Sequence, residues 1–496
     1  MKKPHFNSSR TEKDFLNSLL RLNKKKYFLL SIIMLLISSF TYAQNTAVLY
    51  GTCSDTSVTQ IQYCPVNPFR WSVINQNHRI NVPRKNHHFE IKRHVQSPQL
   101  FNIYPPRYSW SQLIYITPGD SVLFQIVPLS KKNTYKIVFS GKNAAQYNYD
   151  LFMRKAFFRQ NPYFKKGGDL NQYKQALLAY KNRQMDSLTD YVRKHKVSKD
   201  FIDYAKAEIN NEYVYRLFIP LDNKYVSRHD LPSGYLQDAI PEKNKVSRAY
   251  KTALADKYIY NYTHSPVSNF DSVYTNIMYH FSGQDRAFLL STMIGYYALQ
   301  QKTEYQSKLL HVIQEAPKYV HNQQYLNYIH RAEQFYTMIN HPFPDSVLTH
   351  TYLISFNGNK KITLKELLNH YKGKALYLDF WASWCAICRF EITGSHPARQ
   401  YLAQKDVKWI CISRDTDEKA WLKAVKKDSV LQNQYLLCNV PASPLLKYLN
   451  INYVPRYVLM DNQHDIKEPN APHPASYFSN KNFEKLKKSI QEITGK

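Results

Sequence analysis

Three patterns of apolar and polar positions follow one another along the 496-residue chain. Between residues 44 and 140, short segments rich in β-branched and aromatic residues recur: "AVLYGTCSD", "HHFEIKRHV", "QLIYITPGDSVLFQIV" and "YKIVFSG". Turn residues such as Pro118-Gly119-Asp120 separate them. Short strands with regular turn punctuation predict a small β-sandwich or barrel-like domain. After Gly141 the period lengthens. Up to residue 340, apolar and aromatic residues return every three or four positions, which predicts an all-helical region over 141–340. In "FIDYAKAEINNEYVYRLF", Phe201, Tyr204, Ala205, Ile209 and Tyr213 form one stripe, with Ser198 as a cap just ahead. A stripe of this kind reads as core rather than as a ligand site.

The stretch "NHPFPDS" carries two prolines and reads as a linker, bounded here as 341–351. A third pattern fills 352–496. "YLISFNGNKK" has an Asn357-Gly358 turn signal between strand-like pieces. Thr363 and Glu366 have capping-box spacing at the start of "LKELLNHY". "KALYLDFW" is a nearly continuous apolar strand, as expected inside a covered sheet. Helical "CAICRFEI", strand "VKWICIS", helices "EKAWLKAVKK" and "SPLLKYLN", strand "RYVLMD" and helix "NFEKLKKSIQEIT" follow. Alternating strands and helices mean an α/β domain of βαβ units. The chain as a whole reads as multidomain α+β.

The first 43 residues change the picture. Lys24, Lys25 and Lys26 precede a 13-residue apolar run from Phe28 to Phe40, and small residues around Ala43 suit a signal peptidase. A bilayer span takes about 20 residues, so residues 1–43 read as a signal peptide. The long segment ahead of the run leaves an uncleaved anchor, and with it membrane association, as the alternative. Either way the remainder is expected in the periplasm or cell envelope, where disulfides persist. The net charge of +30 falls to +24 without these residues, which hold eight Lys/Arg and two Asp/Glu. A solvated lysine-rich surface accounts for it. The spread of charge and the export signal argue against nucleic acid. With 44% hydrophobic and 21% charged residues, disorder is not expected.

Candidate chemistry sits in "DFWASWCAICRFE", where Cys385 and Cys388 stand at the junction of a buried strand and a helix. Half of a metal site, a structural disulfide and a working redox pair are the three readings. A zinc site needs about four ligands, and a second CxxC is lacking, so no metal is expected. A disulfide closing so short a ring adds little loop-closure stability. A redox pair fits best. At a helix N-terminus, free N–H groups and the dipole stabilise a Cys385 thiolate, and Cys388 lies one turn on, placed to resolve a mixed disulfide. Of the other cysteines, Cys53 and Cys64 could pair in an oxidising compartment, Cys411 reads as a buried strand residue, and Cys438 has no evident partner. His87, His88, His94 and His396 read as surface histidines.

On these residues the last 150 positions resemble the thioredoxin-fold domain of TlpA/ResA-like thiol–disulfide oxidoreductases. Asp379-Phe380-Trp381-Ala382-Ser383-Trp384-Cys385 matches the family's strand and active-site entry, and "NYVPRYVLMD" its cis-proline segment. A small β domain, a helical middle and a C-terminal thioredoxin domain also resemble exported proteins of Bacteroidota-type bacteria. The resemblance implies that Cys385 attacks and Cys388 resolves, the two forming the redox disulfide. It implies that buried Asp379 exchanges the Cys388 proton, with Glu391 sharing that work. Val454-Pro455 should be cis, its backbone binding an extended substrate beside Trp384, Ala386 and Ile387, with Trp384 shielding the disulfide. Ile387 stands where the family commonly has proline. Thr393 replaces the usual helix-kinking proline, so the bend is expected elsewhere, near Gly394 and Pro397.

The expected function is dithiol–disulfide exchange with exported proteins, as a reductase fed by a membrane or periplasmic electron donor and without a cofactor. An envelope binding or scaffold protein, its thioredoxin domain sensing redox state or assisting docking, is the alternative.

Overall fold

The computed structural model describes residues 45–70, 79–105, 111–129, 135–157, 159–261, 270–356, 358, 360–429, 432–475 and 481–495. The predicted signal peptide and Asn357 of the predicted turn lie outside them. The chain forms two compact units. One holds the described residues up to Asn67 and from 79 to Ala253. The other holds Pro68–Arg70 and the described residues from Leu254 onward.

In the first unit, eight strands make two four-stranded sheets. They are β1 (Thr46–Cys53), β2 (Gln60–Pro65), β3 (Ile80–Pro83), β4 (His88–His94), β5 (Gln99–Tyr104), β6 (Gln112–Ile116), β7 (Ser121–Pro128) and β8 (Tyr135–Ser140). The sheet orders are β4-β1-β7-β8 and β3-β2-β5-β6. Alternate residues of β1 and β7 are buried, and Leu49, Phe101, Ile114, Phe124 and Ile137 from both sheets meet in one core. Two sheets sharing a core make the expected sandwich. The turn at Gly119 has a positive φ, and Asp120 behind it accepts from Thr117 N–H and the Tyr147 hydroxyl.

Helices α1 (Ala144–Phe157), α2 (Leu170–Lys194) and α3 (Lys199–Asp222) follow. The stripe of α3 is buried, and Ser198 caps it by accepting from Phe201 N–H. Helical structure continues into the second unit through α4 (Arg248–Ala255), α5 (Phe270–His280), α6 (Gly283–Leu299), α7 (Gln306–Glu315) and α8 (Gln323–Thr337). The helical stretch 141–340 is therefore divided between the units.

Residues 341–351 carry a short helix, α9 (Asp345–His350), and bury Phe343 and Val347 in the core of the domain that follows. Two apolar anchors four residues apart tie this stretch down. The domain itself is a seven-stranded sheet ordered β10-β9-β13-β12-β11-β14-β15. Its strands are β9 (Tyr352–Ser355), β10 (Lys361–Thr363), β11 (Leu376–Trp381), β12 (Lys408–Ser413), β13 (Gln434–Leu437), β14 (Arg456–Met460) and β15 (Ile466–Glu468). Strands β11, β12 and β13 are parallel, and β14 returns antiparallel beside β11. Around them lie α10 (Leu364–His370), α11 (Ala386–Gly394), α12 (His396–Gln404), α13 (Glu418–Lys427), α14 (Pro444–Tyr448) and α15 (Lys481–Thr494). Thr363 and Glu366 make the predicted capping box on α10.

Both faces of the sheet are covered, which is why every residue of β11 is buried. Leu376, Leu378 and Phe380 enter one core with α10. Tyr377, Asp379 and Trp381 take the opposite face, beneath α11, because strand side chains alternate. This α/β arrangement is the expected thioredoxin-like fold.

Candidate active site

Strand β11 stops at Trp381, and a tight turn leads into α11. Asp415 holds that turn by accepting from Ser383 N–H and Ser383 Oγ, both at 2.8 Å, and from Ser413 Oγ. Cys385 is the N-cap of α11, its Sγ accepting from Cys388 N–H at 3.1 Å. Cys385 and Cys388 are joined by a disulfide. Cys388 is fully buried, whereas Cys385 is 8% exposed. The Val454–Pro455 peptide bond is cis, and the Val454 carbonyl oxygen lies 3.7 Å from Cys385 Sγ.

The helix breaks just past Thr393, near the bend expected at Gly394 and Pro397. It ends at Gly394, and α12 starts at His396 with Pro397 in its first turn. The Ile392 carbonyl, freed by the break, accepts from Ser395 Oγ and Arg399 Nη2. A bidentate Arg389–Asp428 pair fixes α11 to the end of α13.

Apolar surface surrounds the disulfide. Trp384 is 65% exposed and Ile387 39%, with Ala386 exposed beside them. Ala382 belongs to the same apolar cluster as both cysteines, and Val454 packs against that cluster. Pro455 is half-buried.

Beneath the pair, register brings Cys411 of β12 and Tyr457 of β14 to either side of Asp379. Asp379 is fully buried, and burial pushes its carboxyl up to about 7. The nearby Glu391 charge adds to the rise, while Trp409 Nε1–H, donating to Oδ2 at 3.2 Å, and the Arg399 cation oppose it. Asp379 Oδ1 has no hydrogen-bond partner among the described residues. Burial also pushes the Cys411 thiol up, so it stays protonated, with Sγ 3.9 Å from Asp379 Oδ2.

Glu391 projects from α11 one turn beyond Cys388 and is buried. Its Oε2 accepts from the Tyr457 hydroxyl at 2.7 Å, and His473 Nδ1 lies 2.9 Å away. The structure thus brings Cys385, Cys388, Asp379, Glu391, Val454 and Pro455 to one site. Tyr457, Trp409, Arg399, Asp415 and His473 join it without having been singled out in the sequence. No short run of residues signalled these contacts, which join positions far apart along the chain.

Cys411, beside Asp379, is unbonded. Cys53 and Cys64 are both buried and unbonded, on strands of different sheets, and Cys438 is partly buried and also unbonded.

No protein-family model matches the chain. It is 34% identical over 96 residues to a thiol:disulfide interchange protein DsbE of Pseudomonas fluorescens biotype C, covering 19% of this chain and 47% of that protein. It is 32% identical over 76 residues to the thiol-disulfide oxidoreductase ResA of Bacillus cereus, covering 15% and 42%. The chain therefore spans less than half the length of the curated relatives it matches. Among solved structures, the thioredoxin domain of a thiol-disulfide oxidoreductase from Bacteroides vulgatus aligns at 22% identity and a TM-score of 0.24, covering 30% of this chain and 95% of that one. Part of this chain is thus related to thioredoxin-fold thiol–disulfide oxidoreductases of the DsbE and ResA kind.

Proposed function

We propose that the protein is an exported thiol–disulfide oxidoreductase that exchanges dithiol and disulfide with protein substrates through Cys385 and Cys388, working as a reductase. The observation that carries this reading is the Cys385–Cys388 bond, set at a helix N-terminus above a buried carboxylate pushed up to about 7. A group poised near neutral pH can both give and take a proton there. In the reduced protein the Cys385 thiolate attacks a substrate disulfide and releases one substrate thiol. Cys388 then attacks the mixed disulfide, passing its proton to Asp379, with Glu391 sharing the proton work. The exposed Trp384, Ala386 and Ile387 and the half-buried Val454–Pro455 segment receive the substrate chain. A membrane or periplasmic dithiol donor restores the pair. Neither metal nor organic cofactor takes part. Residues 1–43 direct export to the periplasm or cell envelope. As domains we take 44–140 as the β sandwich, 141–340 as helical, 341–351 as the connection and 352–496 as the redox domain.

Two measurements test this. Turnover of a disulfide-bonded reporter protein under excess dithiol should fall to background in Cys385→Ser. Equilibration in graded thiol buffers should place the pair near thioredoxin's value of roughly −270 mV. A potential near roughly −120 mV would make the protein an oxidant instead. A pair that never cycles would end the catalytic reading and leave a binding or scaffold role.

A further inference from the structure

Glu391 is 2% exposed, but the His473 side chain bonded to it is 41% exposed. Together they run from solvent to the buried face under the disulfide. His473 Nδ1 lies 3.0 Å from Oε1 and 2.9 Å from Oε2 of Glu391, and the imidazole packs edge-on against Tyr457. The segment carrying it is pinned to the sheet. Tyr377 donates its hydroxyl to the Pro472 carbonyl at 2.7 Å, and Ala471 N–H donates to the Tyr457 carbonyl. His473 is therefore held in place rather than left on a free loop.

Among the described residues, the other ionisable groups on this face are Tyr377 and Asp379 of β11, Cys411 of β12, Tyr457 of β14, Glu468 of β15, and Arg399 and Tyr401 of α12. Burial pushes Tyr377, Tyr457 and Cys411 well up, so they keep their protons. Arginine keeps its own. Of the remaining groups, only Glu391 and His473 are bonded to each other in a line that ends at solvent. Cys388 is sealed from water, so its proton needs such a path.

We propose that His473 is a positioning residue for the exchange chemistry: it holds Glu391 and passes protons between the buried carboxylates and water. This inference rests on Cys385 and Cys388 being the exchanging pair. When a donor thiolate attacks Cys385 Sγ, a donor–Cys385 disulfide forms. The Cys385–Cys388 bond breaks, and its electron pair leaves on Cys388 as a thiolate. Cys388 takes a proton from Asp379, and a proton from water replaces it, entering this face at the partly exposed His473 that holds Glu391. The donor's second thiol then displaces Cys385, so the donor dithiol is oxidised as the pair is reduced. In the opposite direction the proton of Cys388 leaves by the same route.

The test uses the full chain and the rate at which dithiothreitol reduces the pair, from about pH 5 to 8, where histidine exchanges protons. Wild type, His473→Gln and His473→Asn are compared, with and without added imidazole; partial exposure of the side chain favours folding of both variants. The expected result is a slowing of about tenfold or more, within the reach of general acid–base catalysis. The wild-type-to-variant ratio should change with pH, and imidazole should restore much of the rate. Variants with wild-type rates would overturn the proposal. So would a uniform slowing that imidazole leaves untouched, since that is packing loss. Failure of the wild-type pair to be reduced at all would instead strike the oxidoreductase reading.

Discussion

Asp379 lies on a strand whose two faces are both covered, and one of its oxygens has no donor among the described residues. Its carboxyl is ordinarily ionised in an unfolded chain above about pH 4. In the folded protein burial pushes it up to about 7. Below about pH 4 both forms are neutral and the native contribution is whole. As pH rises toward 7 the unfolded chain gives up the proton first, so stability falls by about 1.4 kcal/mol per pH unit. Above about 7 the loss is complete, on the order of 4 kcal/mol at most. Asp379→Asn cannot ionise, so urea unfolding should find it more stable than wild type at pH 8, with the gap nearly closed at pH 4.5. An equal gap at both values would show that the raised pKa is not the cause. At this scale the motif exposed Cys385, Cys388, Asp379 and Pro455, because each belongs to a short contiguous match. Tyr457, inside the same match as Pro455, and His473 gave no sign of their roles, since they reach Glu391 from 66 and 82 positions away.

Elements were legible where pattern and burial agree. Strands β1, β4, β7, β8 and β11 and helix α3 follow their apolar spacing. Strands β2, β3, β5, β13 and β15 were not singled out: β3 and β15 are too short to show a period, and "QYLL" in β13 reads equally as helix. Two elements make sharp predictions. Gly51 in β1 lies against Phe124, whose ring would be 2.0 Å from a Cβ at that position. Gly51→Ala must displace the ring, and overpacking of this kind costs about 1–3 kcal/mol; chemical denaturation should register it. In the turn before α11, Asp415→Ala removes the acceptor of three hydrogen bonds. Bonds to a charged group contribute about 1.5–3 kcal/mol each and are not additive. A loss of about 3 kcal/mol is expected, with faster amide exchange at Ser383, while the sheets of the first unit keep their protection.

For the whole molecule, cysteine bookkeeping offers a direct check. Four of the six cysteines, Cys53, Cys64, Cys411 and Cys438, are unbonded, and one disulfide joins the other two. Alkylation in denaturant without reductant should therefore add four labels by mass, and six after reduction. Two labels would mean that Cys53 and Cys64 pair in the exported protein. The early helical stretch falls in one unit with the sandwich and the later one in the other with the seven-stranded α/β domain, a division that periodicity along the chain does not reveal. Where a helix packs depends on which surfaces are left uncovered, not on its own stripe.

By itself the sequence determined the local choices: strand or helix, the capping box at Thr363, the apolar β11 and the CxxC at a helix start. These depend on residues within a turn or two of one another. Tertiary structure decided what those choices face. It set Cys411 and Tyr457 beside Asp379 through strand register, removed water from the carboxyl, and brought His473 onto Glu391. Desolvation and distant contact raise or lower a proton's affinity, and neither is written in any short run of residues.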